Sequence, residues 1–461
     1  MWTQKDRIQA YQFLRRRLVS ALVSADADHP VSPSKRLLLG TALGLAVALL
    51  VSAVFGIIGL LAPTRAQAWR QGGQVIVEKE TGARFVLGED DALHPVLNYA
   101  SARLLAGGDG TKTVTVPAKA LRDVPRGAGV GIAGAPDSLP PANRLLTGPW
   151  TRCTRQSPDR PARDAPISSV LLGQQPGGVE LRPGQALMAL LPSGERFLVI
   201  DGQRHRVPDR TAVVALGFAS ADTVQVAPAW LNTLAAGRDL RTFAVNGTGR
   251  PGPTVGAVRT RVGQVLTTGA EELYLVRPDG LAVITDTEAR LVLGSPESAA
   301  AYPGALPRPL PVAAPDVAAA PRSPVRTEGY PRRRPEPVPI GPTTTVCVDG
   351  TRITLDDGLP LRGAEPITTA SGSTAGAVAT EVYVPGGAGA LVAEEPAPGA
   401  PSGTVYVITD TGTKYPVAGN AVISSLGYGR VRPHGVPAPV LAMFPTGATL
   451  DPAEARRTTP R

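Results

Sequence analysis

The residues of this chain whose types could do chemistry are four histidines, two cysteines and two glycine-rich strings. His29, His94, His205 and His434 are scattered and match no HExxH or comparable ligand spacing, so no zinc site is expected. Acidic residues are dispersed, and no GxSxG elbow or CxxC pair occurs. Gly129-Val130-Gly131-Ile132-Ala133-Gly134 fits GxGxxG. The prolines that follow it bar the helix that a dinucleotide site requires. Gly107–Thr113 reads GGDGTKT, but its Gly and Lys are not adjacent and the GxxxxGK[ST] spacing fails. No catalytic, cofactor-binding or metal-ligating residue is assigned, and no ATP site is read from the residues.

Cys153 and Cys347 are the remaining pair. Outside the cytoplasm thiols tend to oxidise in pairs. A bridge would close a loop of roughly 195 residues, worth about 4–5 kcal/mol in the chain-entropy model. Two separate buried thiols are the alternative.

The compartment follows from the elements that carry these residues. Leu37–Leu61 is 25 residues without a charge, and about 20 apolar residues cross a bilayer. Residues 1–36 hold seven Lys/Arg against three acids, with Lys35 and Arg36 abutting the span. The positive-inside rule places this head in the cytoplasm and residues 62–461 outside. A cleaved signal peptide, with Ala66-Gln67-Ala68 as its cleavage site, is disfavoured because both core and head are too long. The formal charge is +9, but no dense basic stripe interleaved with aromatics occurs beyond the span, which argues against nucleic-acid binding.

Residues 3–25 predict an amphipathic helix opened by Thr3 and Asp6. Ile8, Tyr11, Leu14, Leu18 and Leu22 recur at spacings of three and four, with Arg15, Arg16 and Arg17 largely off that stripe. Such a helix needs a partner protein or a membrane surface. Docking through Tyr11, Arg15, Arg16 and Arg17 onto a cytoplasmic subunit is expected.

The exterior repeats itself. Strand–turn–strand units read at Val75–Leu87, Phe197–Val207, Leu273–Ile284 and Val405–Val417, with Gly82, Gly202, Gly280 and Gly412 at the turns. A second element has fixed anchors. Pro117, Leu121, Pro125 and Gly127 share their spacing with Pro437, Leu441, Pro445 and Gly447, and with Ala227, Leu231, Ala235 and Gly237. The turn-to-anchor distance is 25 residues in two copies and 35 in the first, which reads as an insertion. No such tail is found after Gly280, so the third copy reads as degenerate. The copies are placed at about 73–127, 195–237, 271–300 and 404–450. A β core is expected from about 128–194, 238–270 and 343–403. Residues 301–342, with twelve prolines, read as an exposed spacer.

RIQAYQFLRRRLVSALV (Arg7–Val23), a span near residue 40, four repeats, one cysteine pair, and the strings VGIAGAPDSLP, VYVPGGAGALV and YVITDTGTKYPV together resemble the EccB family. EccB proteins are membrane core components of type VII (ESX) secretion systems. The resemblance implies a single-pass membrane protein with a β-rich α+β exterior. A central β core crossed by a disulfide would carry four repeat lobes in an elongated, propeller-like arrangement. It also implies assembly with an FtsK/SpoIIIE-like motor ATPase, a multi-span channel subunit, an EccE-type subunit, a mycosin protease and further copies of itself. The family has been credited with ATPase activity, for which these residues offer no recognisable site. The readings from other classes are an extracytoplasmic nucleotide hydrolase and a cell-wall-binding module.

Overall fold

The computed structural model describes residues 3–25, 33–61, 68–107, 112–156, 165–269, 272–326, 328–369, 377–397 and 403–458. It divides into two compact units. One comprises Met1–Gly72, Ile76–Gly82 and Val114–Val124, and the other Gly73–Val75, Ala83–Thr113 and Pro125–Arg461.

The first unit holds two long helices. Gln4–Ser24 opens where the Thr3 N–H donates to Asp6 Oδ2 at 3.0 Å. Its apolar stripe is exposed, with Tyr11 at 70% and Leu22 at 78%. Pro33–Leu61 contains Leu38–Ile58, the one helix among the described residues long and apolar enough to cross a bilayer.

In the second unit three sheets share one strand order. In the first of them Gln185–Leu190, Arg196–Ile200 and Gln203–Arg206 form an antiparallel meander. The helix Arg210–Leu216 follows. Thr223–Gln225 then returns parallel to the first meander strand, the short helix Pro228–Asn232 crosses, and Ala235–Ala236 lies parallel to the third. Ala390–Glu395, Val405–Ile408 and Lys414–Val417 repeat this with helix Asn420–Ser425, returning strand His434–Pro437 and helix Ala438–Ala442. Thr446 then bridges Lys414 in parallel.

Val265–Thr267, Leu273–Arg277 and Gly280–Ile284 are the third meander, followed by helix Asp286–Leu293. Here the structure corrects the sequence reading. The tail thought missing lies in the proline-rich segment. Leu310–Pro311 returns beside Val265–Thr267, the helix Ala314–Ala319 crosses, and Arg322 bridges Leu281. The tail begins 33 residues after Gly280, with Ala313, Val317, Pro321 and Ser323 at the anchor offsets. The rest of the segment is a packed strap. The Arg332 carbonyl accepts the Asp286 N–H, the Arg333 carbonyl accepts the Thr287 hydroxyl, and Glu336–Pro337 pairs with Gln185–Ala186. Val338 is buried. Proline leaves carbonyls free to accept and suits sheet edges, so richness in proline did not prevent packing.

The first copy shows a second correction. Gly82 lies between Val75–Glu78 and Arg84–Leu87, whereas Gly202 and Gly412 lie between second and third strands and Gly280 opens the third strand. The equivalent turn precedes Leu93–Pro95, and there Asp91 takes a left-handed φ of 55°. The apparent insertion is a one-hairpin offset.

The central sheet has seven strands in the order Ile367–Thr368, Glu381–Tyr383, Ile167–Leu172, Trp150–Arg155, Thr345–Asp349, Arg352–Asp356, Val179–Glu180. Ala390–Glu395, expected in this core, is instead the first strand of the fourth meander. Residues 251–267, also expected there, form the separate hairpin Pro251–Val255/Val258–Arg261 and the third meander's first strand. The fourth copy packs on the central sheet through Trp150, Val170, Val382, Val436, Leu441 and Phe444. The second does so through Leu187, Val199, Trp230, Val346 and Val348. Helix Tyr99–Ala106 packs on Asn420–Ser425, and Arg210–Leu216 on Asp286–Leu293. No sheet among the described residues closes on itself.

Candidate functional site

The feature that recurs with the most constant geometry is a ring seated over a glycine. In three copies one residue of the third meander strand exchanges two backbone bonds with the anchor segment, and in the second copy the corresponding residue accepts one. The N–H of Leu93 donates to the Pro125 carbonyl at 2.8 Å, and the Gly127 N–H donates back to the Leu93 carbonyl at 3.1 Å. Lys414 does the same with Pro445 and Gly447, at 2.9 and 2.8 Å, and Leu281 with Pro321 and Ser323, at 2.8 and 3.0 Å. Arg204 accepts from Gly237 at 2.9 Å.

The next residue of the strand covers the anchor. A Cβ on Gly127 would fall 2.3 Å from the His94 ring, on Gly237 2.2 Å from His205, and on Gly447 2.4 Å from Tyr415. In the third copy the covering residue is Ala282, and the anchor is Ser323. Where the ring is absent, the anchor carries a side chain. This exchange of sizes hid the third tail. The signal that could have found it is a His or Tyr three residues past the turn, as after Asp91, Gly202 and Gly412.

Two of the four histidines are therefore structural. His205 is 2% exposed, and its Nδ1 lies 2.8 Å from the Arg238 carbonyl. Burial pushes its pKa down, against that bond and Asp201. His94 makes the matching contact to the Ala128 carbonyl at 3.0 Å, with Nε2 3.2 Å from Asp90. His434 lies on the strand His434–Pro437, and His29 falls outside the described residues. Among the described residues no group of three metal-capable side chains gathers.

The other anchors are packing residues. Leu121, Leu231, Leu441 and Val317 are 0–1% exposed. Pro117 and Pro437 are the residues at which the short helices begin. Gly82, Gly202 and Gly412 have φ of 71°, 75° and 73°, and Gly280 144°. Cys153 and Cys347 sit opposite each other on neighbouring antiparallel strands, fully buried and bonded. Beside them Arg152 is buried, its guanidinium donating to the Trp150 and Gly350 carbonyls. Burial draws its pKa down to about 10.

Among the described residues no phosphate cradle emerges. Gly129–Gly134 forms a loop whose Ile132 N–H and C=O are held by Ser101 and Asn98, and no helix opens after it. Most of Gly107–Thr113 lies outside the described residues. A groove of about 920 Å³ is lined by Arg326, Arg332, Arg333 and Arg334, but equally by Asp286, Glu288, Glu328 and Glu336. Its charges cancel, which is no basis for capturing an anion. A smaller one of about 460 Å³ holds Phe243 and Tyr330, but those rings stack on each other at 6.2 Å and Arg238 covers Tyr330 at 4.8 Å.

Comparison with known proteins gives the fold and the family of this chain. The ESX-2 secretion system ATPase EccB2 of Mycobacterium tuberculosis is 28% identical over 405 residues, covering 82% of this chain and 79% of that protein. The ESX-3 secretion system ATPase EccB3 of the same organism is 27% identical over 500 residues, covering 98% and 88%. Among solved structures, a chain of an intact ESX-5 inner membrane complex matches with a TM-score of 0.67 at 23% identity, covering 100% of this chain and 96% of that one. The EccB3 dimer from the ESX-3 core complex matches at 0.65 and 23%, covering 83% and 99%. These likenesses show the fold. The family model for the type VII secretion system ESX-1, transport TM domain B, matches residues 1–460, and the chain belongs to this EccB family.

Proposed function

We propose that this chain is a structural core subunit of a type VII (ESX) secretion membrane complex. The observation that carries the reading is a family match running through head, span and exterior alike. The span anchors the chain once, with residues 1–36 cytoplasmic and the exterior outside. The second and fourth copies act as lobes on the central sheet and carry the third and first, and these lobes join neighbouring subunits, a second copy of this chain included. The head docks cytoplasmic components through its basic residues. Partners are the motor ATPase, the multi-span channel subunit, the EccE-type subunit and the mycosin protease.

The ATPase in the relatives' names is theirs. In this chain the glycine strings lack the helix and lysine that hold phosphates, so motive force is assigned to the motor partner. The test is the size and composition of the native particle extracted in mild detergent, with a tag after Arg461. A megadalton particle containing the motor ATPase is expected. A lone monomer overturns the reading.

A further inference from the structure

The head helix has two unlike faces, and only one of them is needed for docking a soluble subunit. Ile8, Tyr11, Leu14, Leu18 and Leu22 form a single stripe and are 56%, 70%, 61%, 60% and 78% exposed. A 3.6-residue repeat places Gln9, Phe13 and Arg16 on the opposite side, with Gln12 on the flank. Arg7 and Arg15 fall within the arc of the stripe, Arg7 between Leu14 and Leu18 and Arg15 between Leu22 and Ile8, and their long stems can lie along apolar surface with their charges in headgroups. Over Gln4–Ser24 five basic residues face one acid. The Asp6 carboxylate is engaged by Thr3, at the helix start.

The chain itself sets the distance to the bilayer. Eight residue steps separate Ala25 from Pro33, where the spanning helix begins. An extended chain covers at most roughly 28 Å in that length. The helix is thus tethered within reach of the inner leaflet, with one exposed apolar stripe that also carries two arginines. Those are the properties of a helix lying in a membrane interface.

We infer that the stripe Ile8–Leu22 seats in an anionic lipid surface, with Arg7 and Arg15 reaching headgroups from within its arc, and leaves Arg16 and Arg17 to face cytoplasmic subunits. This deepens the proposed docking role by dividing the head residues between two surfaces. It rests on the N-in orientation but not on complex formation. Each basic residue near an anionic surface favours binding by about fivefold, screened by salt.

The test uses the full chain, alone, in nanodiscs of pure phosphatidylcholine or with 30% phosphatidylglycerol. Leu14→Cys, Leu18→Cys and Gln9→Cys variants carry a polarity-sensitive fluorophore, since both native cysteines are bonded. In anionic discs the first two should shift to the blue and be quenched by nitroxide-labelled lipid tails, with Gln9→Cys unchanged. High salt should weaken the shift. Emission from Leu14→Cys and Leu18→Cys that reports water in both compositions overturns the inference. So does shielding that appears only when cytoplasmic subunits are added, which would make the stripe a protein interface. Because no partner is present in the discs, failure here is distinct from failure to find the native particle.

Discussion

Gly127, Gly237 and Gly447 are glycines for lack of room, since none of them adopts a positive φ. Spacing alone marks them as anchors without saying why they are glycine; the ring above each was invisible because it comes from a strand some 32 or 33 positions earlier. Gly237→Ala should therefore destabilise the exterior by about 1–3 kcal/mol through overpacking. Most of that should vanish in a His205→Ala background, a coupling that a double-mutant cycle in denaturant unfolding would read. His205 adds a pH effect. Its folded pKa lies below its unfolded value, so between the two the unfolded chain binds more protons. Stability should be full above about pH 6.5, the ordinary histidine value, and fall as the pH drops below it. His205→Tyr, the residue type used by the fourth copy, should remove that component from a pH series of unfolding midpoints.

The meanders were legible because each alternates apolar residues around a turn. Their short tails were legible only where Leu and Gly anchors were kept. The third tail changed both, to Val317 and Ser323, and lay in a segment whose prolines suggested a spacer. Its helix nonetheless buries Val317 with Val255, Leu266 and Val276. Val317→Asp should open the third sheet, read as lost amide protection over 265–284 in hydrogen exchange; a spacer would leave those amides unchanged. Leu231→Ala and Leu441→Ala should each cost about 2–5 kcal/mol, as buried leucines at matching anchors. The offset in the first copy arose because Gly82 is a real turn, one hairpin too early, while Asp91 serves at the equivalent turn without being glycine.

At the scale of the molecule, the spanning segment, the basic head and the cysteine pair were readable from composition and placement, because each depends on local chemistry. All seven strands of the central sheet lie in two of the three expected core segments, but their order was not readable, since pairing between segments nearly two hundred residues apart leaves no local trace. Replacing both cysteines by alanine should lower exterior stability by about 2–5 kcal/mol, measured by chemical denaturation under oxidising conditions. The same bond has a consequence in time. An N-anchored chain reaches the outside from its span onward, so Cys153 emerges 194 residues before Cys347. At synthesis rates of 5–20 residues per second that is roughly 10–40 s. By the end of that interval the thiol and three strands of the central sheet are outside without the four that complete it. The second meander, whose strands and tail lie between the two cysteines, can fold at once. Maturation of this exterior therefore waits on its last third, and a nascent chain stalled before residue 345 would present a reactive thiol and an open sheet edge to whatever oxidant or chaperone attends export.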